Sequence, residues 1–129
     1  MIPPHKGLPP LEAIRSAAED AFSHRLAKEG RRWLLDLFFF VDDYLASGAL
    51  LALSLAGVKI PEDVKVVTIA NEGNVPVWHG SVAMLFYRQS VGGERLAAAA
   101  LERLGCRILR TMMDQSASVE YIPGDTFPY

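Results

Sequence analysis

The stretch from Asp36 to Ala70, DLFFFVDDYLASGALLALSLAGVKIPEDVKVVTIA, constrains this chain more than any other. A short apolar run, Leu37 to Val41, stops at two carboxylates, Asp42 and Asp43. A helical pattern follows, with Leu45, Ala49, Ala52, Leu53 and Ala56 on one stripe. Gly57 is placed to end that helix, Pro61 opens a tight turn, and a second apolar run extends from Val64 to Ile69. An unbroken apolar run, here with three consecutive phenylalanines, fits a strand covered on both faces. Strand, helix and strand at this spacing predict a βαβ unit with adjacent parallel strands and a right-handed crossover. In such sheets ligands bind beyond the carboxyl ends of the strands. Asp42 and Asp43 stand at one such end, and Ala70, Asn71 and Glu72 at the other.

Both acids can cap the first orphan amides of the helix. One reading stops at capping. The reading adopted here gives the cap to Asp43 and turns Asp42 toward a crevice, where its carboxylate accepts hydrogen bonds from a polar ligand. Asn71, which both donates and accepts, and Glu72 share that crevice, with Trp78 near its rim as an apolar face. Trp78 can equally be a plug over the crevice or an interface residue. Gly48 costs a helix interior about 1 kcal/mol relative to alanine, so it predicts close contact between the helix and the sheet.

FFFVDDYLASGALLALSLAGVKIPEDVKVVTIA resembles the effector-binding core of the LacI/GalR family of bacterial transcription regulators. The matching features are Asp42-Asp43, Ala46, Gly48, the helix to Ala56, Gly57, Pro61-Glu62-Asp63-Val64 and Val66-Val67. The clear match covers residues 36 to 70, and a weaker one continues to about Leu104, with Gly92 or Gly93 beginning the next helix. The resemblance implies an α/β fold, a three-layer parallel-sheet sandwich forming one lobe of a periplasmic-binding-protein-like fold. It implies a sensor of a sugar or related metabolite that self-associates as a dimer or higher oligomer. It also implies that DNA is met only through a helix-turn-helix domain, which this chain lacks, as it lacks the first lobe. Two positions depart from the family. Asp42 often stands as asparagine there, and an acid loses the amide donors. Ala70 replaces an acid that commonly binds sugar hydroxyls.

The rest of the chain divides simply. Residues 1–10, rich in proline, read as an extended lead-in and include His5; residues 11–129 read as the partial effector-binding domain. From Leu11 a helix face of Leu11, Ile14, Ala18, Phe22 and Leu26 covers one face of the sheet, and Gly30 ends it. Trp33 or His24 is a candidate contact with a partner subunit. Residues 71 to 76 form a polar crossover or pocket rim, and Val82 to Phe86 a third strand. A helix from Ser90 carries the stripe Leu96, Ala99, Ala100, Arg103 and Leu104, and Gly105 ends it. Arg107 to Met112 and Val119 to Ile122 read as outer strands around a turn at Asp114 to Ser116.

Composition narrows the function further. A formal charge of -2 and no basic run longer than Arg31-Arg32 give no nucleic-acid surface. The one cysteine, Cys106, reads as a buried thiol and forms no internal disulfide. The N-terminus is no signal peptide and the longest apolar stretch is too short to span a bilayer, so the cytoplasm is the default. No phosphate loop, nucleophile elbow or zinc spacing appears across His5, His24 and His79, so the reading is non-enzymatic and needs no cofactor or metal. Two competing readings are an enzyme holding a divalent cation with Asp42, Asp43 and Glu72, and a dimerisation module with a non-functional pocket.

Overall fold

A computed structural model describes residues 10–105 and 119–129. Its elements are α1 (Pro10–Glu29), a 3-10 turn (Gly30–Trp33), β1 (Leu37–Phe40), α2 (Asp43–Leu55), β2 (Lys65–Asn71), β3 (Ala83–Tyr87), α3 (Gln89–Arg103) and β4 (Val119–Ile122). The lead-in before Pro10, with His5, lies outside the described residues. So do Cys106, the strand read over residues 107–112 and the turn at 114–116.

β1 and β2 are adjacent and parallel, with Leu37 opposite Lys65 and Phe40 opposite Thr68. The βαβ unit is therefore present as read. β3 adds in parallel to β2, from Val67 opposite Ala83 to Asn71 opposite Tyr87. β4 pairs antiparallel to β3, so the order is β1-β2-β3-β4 and the sheet is mixed, not wholly parallel.

α1 and α2 pack together on one face of the sheet. Their junction is made of small residues: Ala13, Ala17 and Ala18 of α1 and Ala46, Gly48, Ala49 and Ala52 of α2 are buried. A Cβ on Gly48 would overlap the Arg15 carbonyl oxygen and come within 3.0 Å of Ala18 Cβ. The predicted close contact at Gly48 is thus helix against helix, not helix against sheet. It also re-aims α1. Leu11 of the expected stripe is exposed, whereas Ala18 of that stripe is buried in the helix junction and Phe22 and Leu26 pack against the core. That core is Leu50, Leu53, Val58, Val64, Val66 and Val82, closed by Phe38, Phe40, Ile60 and Trp78.

The other face is different. β1 is an edge strand that alternates between exposed and half-buried, with Phe39 48% exposed. Phe38 and Phe40 turn toward Phe22 at ring separations of 5.4 and 5.7 Å, while Leu37 and Phe39 are exposed. Among the described residues helices cover one face of β1, so the expected burial on both faces is not met there. The stripe expected on α3 also fails to bury. Leu96 and Leu104 are exposed and Ala98 is the buried residue of that helix. Among the described residues, the three-layer sandwich is realised on one face of the sheet.

β2 and β3 are parallel neighbours joined without a helix. The connecting segment runs along α2 instead, where Ser47 Oγ accepts from Val77 N–H at 3.1 Å and Ser54 Oγ from Trp78 Nε1–H at 3.1 Å. Ser47 and Ser54 are two turns apart, so one helical face guides the crossover. The last residues then lock the far end. Thr126, fully buried, accepts from Ala83 N–H through Oγ1 at 2.8 Å and from Val66 N–H through its carbonyl at 3.0 Å.

The helix junction gives a direct stability test. Gly48→Ala should cost about 2 kcal/mol by overpacking. Gly93→Ala, in α3 where an added Cβ meets nothing within 4 Å, should be neutral or stabilising by up to about 1 kcal/mol. Urea denaturation of the two variants measures both.

Candidate functional site

The carboxyl ends of β1 to β3 present Asp42, Asn71, Glu72, Tyr87 and Arg88. Each follows an apolar strand, so the sheet delivers them to one edge. Thr68 Oγ1 lies 3.2 Å from the Phe40 carbonyl and 3.4 Å from that of Asp42, tying β2 to the turn that carries the acids.

The helix cap falls to Asp42, where the sequence reading had given it to Asp43. Asp42 is the N-cap of α2: its Oδ1 accepts from Tyr44 N–H at 2.9 Å and Leu45 N–H at 3.0 Å. Its extended backbone, φ -148° and ψ 133°, is the geometry a cap requires. Asp43 is already inside the helix and cannot cap it. It is 2% exposed, and its Oδ2 is buried without a hydrogen-bond partner. The amino end of α2 offsets part of the cost of placing that acid there.

Asp42 and Asn71 share an edge but not a face. Along β1 the side of Phe38 and Phe40 is the helix side, and the cap continues it. Asn71 pairs in register with Tyr87 on the side of Phe39 and Val67. Glu72 is committed to another helix. Its Oε2 accepts from Ser90 N–H at 3.1 Å in the first turn of α3, which has no side-chain cap of its own. Hydrogen bonds from the Ser90 side chain and then its backbone, with Arg88 nearby, hold the Glu72 carboxyl below its ordinary value. Arg88 pairs with Glu120 at 3.6 Å.

Trp78 is not at this edge. Its indole donates to Ser54, near the last turn of α2, whereas Asp42 caps the first. Twelve residues of helix separate those levels by about 18 Å. Trp78 instead packs against the core, with the His79 ring tilted beside it at 4.0 Å, so it neither rims nor plugs the crevice edge. Ala70 is fully buried on the helix side of β2, because that strand runs to Asn71 and carries Ala70 inside the sheet. A groove of about 350 Å³ between α1 and α2, lined by Ser23, Leu26, Ala27, Ala52, Leu55 and Ala56, lies at the Trp78 end. Its lining is largely aliphatic, and it does not include the edge residues.

Arg88 and Tyr87 were not singled out from the sequence. The signal was present, since they follow the apolar run Val82 to Phe86 just as Asp42 follows Val41. Among the described residues, no group of three or more His, Cys, Asp or Glu side chains is placed to hold a metal ion. Asp42, Asp43 and Glu72 are divided between a cap, a buried first-turn position and the start of α3. No helix among the described residues is long and apolar enough to cross a membrane.

No protein-family model matches the chain, and none of the curated proteins does. Among solved structures, the chain is similar to the crystal structure of a LacI regulator from Lactobacillus casei with bound Tris. The TM-score is 0.55 at 17% identity, over 90% of this chain and 38% of that one. The likeness is one of fold: a mixed α/β lobe with an open sheet. The chain spans well under half the length of that regulator.

Glu72 should titrate below 4.5, its ordinary value. A depressed folded-state pKa means that the hold on Ser90 is intact above that value and is lost as pH falls through the folded one. Carboxyl chemical shifts should place the midpoint there. Ser90 amide protection should fall with it, and Glu72→Gln should abolish this pH dependence.

Proposed function

We propose that the chain is part of the effector-binding region of a transcription regulator. It senses a small polar metabolite, a sugar or a related compound, at the carboxyl edge of β1 and β2. The observation that carries this reading is the fold shared with a LacI regulator over 90% of the chain. The geometry of the edge supports it. Oδ1 of Asp42 serves the helix cap, leaving Oδ2 to accept from a ligand hydroxyl or ring N–H. Asn71 supplies a donor and an acceptor from the other face of the same edge. Glu72 acts on the site indirectly, by fixing where α3 begins. Self-association accompanies sensing in this reading, and DNA contact falls to a helix-turn-helix domain outside this sequence.

A second reading is favoured by one residue. Ala70 offers no side-chain hydrogen bond and is closed off from solvent, which suits a dimerisation module whose pocket is silent. Calorimetry on the full-length protein against sugars and purines separates the two. Sensing predicts a saturable heat with at least one ligand. In this chain Asp42→Asn keeps a good cap, so stability should change by only a few tenths of a kcal/mol. The same variant exchanges an acceptor for donors at the ligand, so affinity should shift about tenfold, which is about 1.4 kcal/mol. No heat with any ligand supports the silent pocket.

A further inference from the structure

The turn from β1 into α2 is rich in hydrogen-bond acceptors and poor in donors. Asp42 spends Oδ1 on the Tyr44 and Leu45 amides, which leaves Oδ2 outside the cap. Asp43 is 2% exposed, and its Oδ2 is buried without a hydrogen-bond partner. Thr68 is fully buried against the same turn. It has one hydroxyl proton and three carbonyl oxygens within 3.4 Å, those of Phe40, Asp42 and Ile69. An aspartate is almost never fully buried unless something pairs with it, because burial without a partner is costly.

Among the described residues no ion pair offsets these acids. The pairs are Arg15 with Glu12, Arg25 with Glu29, Arg31 with Asp63 and Arg88 with Glu120. The amino end of α2 supplies about half a positive charge, which leaves most of two negative charges to be met. In a helix the Cα–Cβ bond leans toward the amino end, so the Asp43 side chain is directed back toward the sheet edge where Asp42 stands. Neighbouring Cα atoms lie about 3.8 Å apart. A group seated on Asp42 Oδ2 therefore feels both carboxylates, well inside the roughly 8–10 Å over which salt screens charge.

We propose that the ligand of this edge carries a protonated amine, held on Asp42 Oδ2 with the Asp43 carboxylate behind it. This rests on the sensing role proposed above and narrows it from a neutral polyol to a cationic one. An ammonium brings three donors, a full positive charge and no acceptor, which is what an acceptor-rich turn lacks. A neutral hydroxyl serves Asp42 but leaves the charge of Asp43 unmet. A bare magnesium or calcium ion asks for about six oxygen ligands or more, and among the described residues no three acidic, His or Cys side chains converge.

Two probes of nearly the same shape test this. Tris is a protonated amine with three hydroxymethyl groups; in pentaerythritol a fourth hydroxymethyl group replaces the ammonium. Each is titrated into the isotope-labelled whole chain at about pH 6.5, where the amine is charged, with sodium chloride matching the ionic strength. Concentrations from about 0.1 to 100 mM suit ligands of so few atoms. The Tyr44 and Leu45 amides should shift saturably with Tris, at least about tenfold tighter than with pentaerythritol. Asp43→Asn should reduce that preference to about threefold or less. Glu94→Gln, which removes an exposed charge from α3, should leave it intact. If Asp43→Asn fails to fold, Asp42→Asn, which keeps a good cap, reads the same loss. Equal affinity for the two probes overturns the proposal, and so does the absence of saturation by either. A preference for Tris that survives both asparagine variants overturns it too, as non-specific attraction to a chain of net negative charge. Any of these results beside a saturable heat with a neutral sugar removes the cationic ligand and leaves the sensing role standing.

Discussion

The close approach of α1 and α2 at Gly48 is the constraint on which the rest of the structure depends. A side chain there would meet the Arg15 carbonyl, so glycine is what lets the two helices share one layer. That layer supplies nearly all of the packed interior. Leu50 and Leu53 of α2 meet Val64 and Val66 beneath them, and Phe22 of α1 covers Phe38 and Phe40. Burial of such side chains is worth about 1.5–3 kcal/mol each. Among the described residues the packed interior therefore lies on one face of the sheet, and Leu37 and Phe39 on the opposite face of β1 are exposed.

The same layer separates the two ends of the lobe. α2 begins at the Asp42 cap and finishes beside Trp78 and Ser54. The crossover from β2 to β3 follows it downward, and the Thr126 segment seals the bottom of the sheet. With Trp78 and the tail occupying the lower end, the polar side chains collect at the upper one. Glu72 extends this order into α3 by holding its first turn. Asp42, which fixes where α2 starts, stands at that edge too, so one side chain joins helix position to the chemistry proposed there.

Much of this was legible in the sequence. The run Leu37 to Val41, the helix after it and the run Val64 to Ile69 gave the parallel pair, because covalent spacing and apolar periodicity both act locally. Val82 to Phe86 and Val119 to Ile122 were legible for the same reason. What failed depended on neighbours the pattern does not encode. FFF reads alike whether a strand is covered on one face or two. Asp42 and Asp43 are chemically identical, and one residue of register determines which caps and which is buried. Trp78 was placed by its nearness in sequence to Asn71, but the crossover carries it the length of α2. The fold resemblance named from Asp42-Asp43, Gly48 and the IPEDV turn agrees with the structural likeness to a LacI regulator.

The α1–α2 layer is the stable unit and α3 a peripheral one, and amide hydrogen exchange on the free chain tests this most directly. The slowest exchange should fall on Ala49 to Leu53 and on Val66 to Thr68, at the level of global unfolding. α3 should exchange faster by at least about tenfold, since little of its surface is buried. Protection of α3 equal to that of α2 would contradict a core built on the α1–α2 layer.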